Sequence, residues 1–85
     1  MTKKDKLVKR FLSIPKDFTF DELIALFKHL GFEMRNKGKT SGSRVEFTNV
    51  EAKLSYFAHK PHPGNIVKTY VLRQLREFLT ENKIL

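Results

Sequence analysis

The chain contains no cysteine. That excludes a disulfide framework, a thiolate metal site and a cysteine nucleophile. It also lacks any apolar run near the ~18–20 residues of a membrane span. Its start, Met1-Thr2-Lys3-Lys4-Asp5-Lys6, lacks the apolar segment of a signal peptide. The expectation is a cytoplasmic protein with no membrane partner. There are no internal repeats and no low-complexity segment. No Ser/His/Asp arrangement, metal-ligand spacing or paired-carboxylate pattern emerges, so neither a metal nor a cofactor is expected. Acidic residues are scarce: 9 Asp+Glu stand against 17 Lys+Arg, a formal net charge of +8. Such a balance in a small protein points to a polyanion, most often nucleic acid, although charge alone equally allows an acidic protein partner. With 85 residues, one domain spanning 1–85 is expected. A chain of this size buries only about 60–65% of its unfolded surface, so the core is modest.

What is present divides into six elements. Residues 4–13 read as a short amphipathic helix, with Leu7, Val8, Phe11 and Leu12 on one face and basic residues on the other. Ser13-Ile14-Pro15 ends it, because the residue before a proline avoids the α region. Thr19 and Glu22 make a capping box for a second helix, and Phe18 and Leu23 a hydrophobic staple. That helix carries Phe20, Leu23, Ile24, Phe27 and Leu30 on one face, with Gly31 as its left-handed stop. His29, off the apolar stripe near the helix end, is assigned no chemistry. Three short alternating runs follow, at 32–36, 44–48 and 53–58, and predict an antiparallel meander with one face covered by helices. A last amphipathic helix is predicted over 66–79, with Ile66, Tyr70, Val71, Leu75, Phe78 and Leu79 as its apolar positions.

Two connectors carry chemistry. Residues 37–43, Lys-Gly-Lys-Thr-Ser-Gly-Ser, combine glycine, hydroxyl and lysine. The composition suits backbone approach to phosphate, but Gly38 and Gly42 do not have P-loop spacing. The same residues also make an ordinary flexible hairpin loop. The second connector is Ala58-His59-Lys60-Pro61-His62-Pro63-Gly64-Asn65. Its prolines stiffen the backbone and push Lys60 and His62 toward extended conformations. Pro63-Gly64 is a turn signal, and Asn65 is placed to cap the last helix. Either His59 and His62 are simply solvated in a surface turn, or they form a compact polar site at a helix N-terminus.

Cleavage of RNA needs a base for the 2′-OH proton, an acid for the leaving oxygen and cations for the charged intermediate. Histidine with lysine or arginine suffices for this, and the chemistry requires no metal.

Leu30-Gly31-Phe32, the Gly-Lys-Thr-Ser-Gly-Ser-Arg run at 38–44, Phe47, and His62-Pro63-Gly64 before a helix resemble the HicA family of toxins. The resemblance covers roughly residues 19–80. It implies an α+β fold similar to a double-stranded RNA-binding domain, α-β-β-β-α, here with an extra N-terminal helix and a three-stranded antiparallel sheet covered by helices. It also implies an mRNA-cleaving toxin neutralised by a HicB-type antitoxin. The family pattern is commonly Gly-Ser-His-x-x-Phe with a catalytic histidine, whereas this chain reads Gly42-Ser43-Arg44-Val45-Glu46-Phe47. Arginine, with a pKa above about 12, is no general base. Arg44 is therefore expected to hold phosphate or stabilise charge, with His62 or His59 as the proton-transfer group. Lys37, Lys39, Ser43, Arg44, Lys53 and Lys60 are the expected RNA contacts. The alternative is a basic module that binds RNA without cutting it, and a third reading is an adaptor that only pairs with an acidic protein.

Overall fold

The computed structural model describes residues 2–35, 44–61 and 64–85. The elements are α1 (Lys3–Leu12), α2 (Phe20–His29), β1 (Glu33–Arg35), β2 (Arg44–Asn49), β3 (Leu54–His59) and α3 (Thr69–Glu81). The order after α1 is the α-β-β-β-α expected from the sequence. The strands form an antiparallel sheet in the order β1-β2-β3.

Local chemistry explains most boundaries. The Thr2 hydroxyl accepts from the Asp5 N–H at the start of α1. At α2, Thr19 and Glu22 each bond the other's backbone N–H, at 3.1 and 3.0 Å, closing the capping box. Phe18 and Leu23, the two halves of the staple, are both buried. Gly31 takes φ +89° after the helix, a conformation that costs a glycine nothing. In the β2–β3 turn, the buried Asn49 accepts from the Ala52 N–H and donates to the Leu30 carbonyl, which ties the hairpin to the end of α2.

The core lies between one face of the sheet and the helices. Val45, Phe47 and Ala58 point into it, and Arg44, Ser55, Phe57 and His59 point away. Phe27 of α2 stacks on Phe47 of β2 with ring centroids 4.0 Å apart. It also meets Phe32 edge-on at 5.1 Å and Tyr56 of β3 at 5.8 Å, and Tyr56 in turn meets Phe78 of α3 at 4.9 Å. One aromatic column thus joins α2, the sheet and α3. Helix α1 is fastened separately, by Phe11 against Phe18 and by Arg10. The Arg10 guanidinium donates to Glu22 at 2.7 Å and to Asp17 at 3.1 Å.

The structure departs from the sequence reading at particular residues. Asn65 does not cap the last helix. Its carbonyl accepts from the Phe20 N–H, the Val67 N–H donates to the Phe18 carbonyl, and Ile66 bridges to Thr19. That pairing keeps the chain extended through residue 67, so α3 begins at Thr69, with Lys68 at the capping position and no side-chain cap bond. The late start also changes the buried face. Leu72, Leu75 and Leu79 are fully buried, whereas Ile66 is 45% exposed and Tyr70 57% exposed. On β1, Met34 is exposed because the strand is an edge that the helices do not cover. Leu12, at the end of α1, is exposed as well.

Truncating the hub of the aromatic column leaves a cavity bordered by several rings. Phe27→Ala is expected to destabilise the protein by about 3–5 kcal/mol, read from the urea midpoint. The α1 clamp gives a pH signature. Hydrogen bonds from Arg10 hold the Glu22 carboxyl below its usual range, against partial desolvation. A depressed folded-state pKa contributes stability above the unfolded value of about 4.3, lost as pH falls through the folded value. The wild type should therefore lose more stability than Glu22→Gln on going from about pH 5 to pH 3, measured by urea unfolding at each pH.

Candidate functional site

The face of the sheet turned away from the helices carries two of the residues singled out by the sequence, Arg44 and His59. Arg44 opens β2 and His59 closes β3, and the register pairs them directly. Side chains directly opposite on one face have Cβ atoms about 4.5–5.5 Å apart. Both residues are exposed. The Arg44 guanidinium lies over the ring of Phe57, 4.3 Å from its centroid, and that ring is itself 47% exposed. A guanidinium held over a ring can still offer N–H donors to a phosphate. A cation and an imidazole thus stand side by side at one end of the sheet.

The sheet continues into a groove. It measures about 360 Å³ and runs between the C-terminal half of β3 and the segment leading into α3. Its lining includes His59, Lys60, Ile66, Lys68, Tyr70 and Gln74, and no Asp or Glu. At the opposite end of the hairpin a second hollow is lined by Glu33 and Glu51. Burial pushes the Tyr56 hydroxyl above the usual phenol range.

The expected site residues fall into three groups. Arg44, His59 and Lys60 come together at the end of the sheet. Lys53 does not join them: it sits in the β2–β3 turn with φ +56°, about five strand residues or ~17 Å away along β2. Lys37, Lys39, Ser43 and His62 lie outside the described residues. Among the described residues no group of three His, Asp or Glu is placed to hold a metal ion. The sequence reading put Ile66 and Tyr70 on the buried face, and it gave Phe57, Lys68 and Gln74 no part in a site. Tyr70 had a signal: at about 100° per residue it lies some 160° around the helix from Leu72, opposite the Leu72-Leu75-Leu79 stripe.

Taken together, these features define a small, strongly basic α+β protein with a cation–imidazole pair at one end of an open sheet. The chain belongs to the HicA toxin family of bacterial toxin–antitoxin systems, whose family model matches residues 20–80. The match begins at the first residue of α2, so α1 lies outside it. Membership implies an antitoxin as partner. No curated protein and no solved structure matches the chain. No described helix is long and apolar enough to cross a membrane.

The Arg44–His59 pairing can be tested chemically in a chain without cysteine. The double variant Arg44→Cys/His59→Cys is expected to cross-link on mild oxidation, as read by thiol titration. Lys53→Cys/His59→Cys should keep two free thiols, because its positions lie beyond disulfide reach.

Proposed function

We propose that this protein is an mRNA-cleaving toxin acting in the cytoplasm and neutralised by a HicB-type antitoxin. The observation that carries the reading is the cross-strand pairing of Arg44 with His59, both exposed, at the basic end of the sheet.

The chemistry is phosphoryl transfer within the RNA strand. An imidazole removes the 2′-OH proton, and the 2′-oxygen attacks the adjacent phosphorus. The 5′-oxygen leaves with a proton from a second group, giving a 2′,3′-cyclic phosphate and a 5′-OH end. His59 takes the role of base, and His62, three residues on in the chain, that of acid. Arg44 stabilises the charge that develops on the non-bridging oxygens, a task for which its permanent charge and forked donors suit it. Lys37, Lys39, Ser43 and Lys60 hold neighbouring phosphates, and Lys53 meets the strand farther along. None of these steps calls for a metal.

The test is RNA cleavage in EDTA. The wild type should cut, and His59→Ala and His62→Ala should each lower the rate by about 10²–10⁴-fold. Arg44→Ala should slow cleavage as well, by about 10²-fold or more. Salt-sensitive RNA binding by a wild type that does not cut would replace this reading with a non-catalytic RNA-binding module.

A further inference from the structure

Resting on the reading of the protein as an RNA-cleaving toxin, we propose that the groove between β3 and α3 seats one unpaired base of the bound RNA, stacked on Tyr70. Lys60 and Lys68 hold the phosphates on either side of it.

Three observations carry this. The first is continuity. His59 lines the groove, so a nucleotide that presents its 2′-OH to His59 has its base, or its neighbour's, at the mouth. The second is composition. Tyr70 is 57% exposed and Ile66 45% exposed, large apolar surfaces left open beside Lys60, Lys68 and Gln74 with no carboxylate in the lining. An aromatic platform flanked by lysines is how a protein holds a single strand: the ring takes the base and the cations take the backbone. Gln74 adds a side chain that both donates and accepts toward a base edge. The third is rigidity. The wall at residues 65–67 is pinned to the start of α2 by the Phe20 N–H to Asn65 carbonyl bond at 2.8 Å and the Val67 N–H to Phe18 carbonyl bond at 2.7 Å. Val67 is buried beneath it. A preformed slot loses little freedom when it is filled.

The groove also discriminates between ligands. A base inside a duplex cannot enter it without leaving its stack, so the slot selects unpaired RNA. Among the described residues β3 pairs on one side only, which would suit a strand added by a protein partner. The groove, however, follows only the stretch from Tyr56 to Pro61, and the charges that line it are all basic or histidine. A nucleotide fits that short cationic slot better than a strand does.

The test measures binding, so it does not depend on catalysis. The probes are a short 2′-O-methylated single-stranded RNA, the same strand with one abasic residue walked through each position, and a duplex of equal length. The wild type should prefer the single strand, and Tyr70→Ala should weaken that binding about tenfold or more while leaving duplex binding unchanged. Tyr70→Phe should restore it. One abasic position should reproduce the loss, and Tyr70→Ala should add nothing on that probe. Circular dichroism should give the same melting curve for all the variants, since Tyr70 is an exposed residue. Wild-type binding to the single strand that is unaffected by both Tyr70→Ala and every abasic position overturns the groove alone. So does a Tyr70→Ala variant that keeps RNA but loses its antitoxin, which would make the groove a protein-docking surface. A wild type that binds neither RNA overturns the groove and the toxin's proposed RNA chemistry together.

Discussion

The stack of Phe27 on Phe47 is the contact on which the rest of the arrangement depends. It presses α2 onto one face of the sheet, and through Tyr56 and Phe78 it brings α3 to the same face. Aromatic pairs of this kind combine large apolar burial with a preferred geometry, so they set orientation as well as proximity. With both helices on one side, the other face stays open. Side chains alternate along a strand, so burying Val45, Phe47 and Ala58 obliges Arg44, Phe57 and His59 to face outward. The candidate site is the reverse side of the core pattern.

Two further constraints shape the end of the sheet. The short pairing between residues 18–20 and 65–67 holds the chain extended after the connector and delays α3 to Thr69. The groove exists because of that delay. Helix α1, outside the family match, reaches the body of the protein through Arg10 and Phe11 and contributes no residue to the groove lining. Its role in the described structure is to cover the start of α2.

Much of the fold was legible because its signals are local. The Thr19–Glu22 capping box, the Phe18–Leu23 staple and the stop at Gly31 each depend on residues a few positions apart. The alternation at 44–48 and 53–58 reports which face of each strand meets the core. Arg44, His59 and Lys60 could be named from the sequence as polar groups on a strand start and a stiff connector. What failed was reading that depended on a distant partner. Asn65 has the chemistry of a helix cap, but the backbone of Phe20 claims its carbonyl, and its amide reaches Asp21. Ile66 and Tyr70 have helical spacing with Val71 and Leu75, but Ile66 is not in the helix and Tyr70 is in its first turn.

Element order, the Thr19–Glu22 cap, the charge and the types of side chain available for chemistry could be read from the chain alone, because these follow from neighbours along the chain and from composition. Only the tertiary structure decided that Arg44 faces His59, that Lys53 stands at the far end of the hairpin, and that Tyr70 lines a basic groove instead of the core. Those outcomes depend on strand register and on a backbone pairing between segments some forty-five residues apart. Register and long-range pairing are settled by which faces can be buried together, a property of the whole packed molecule that no stretch of the chain carries alone.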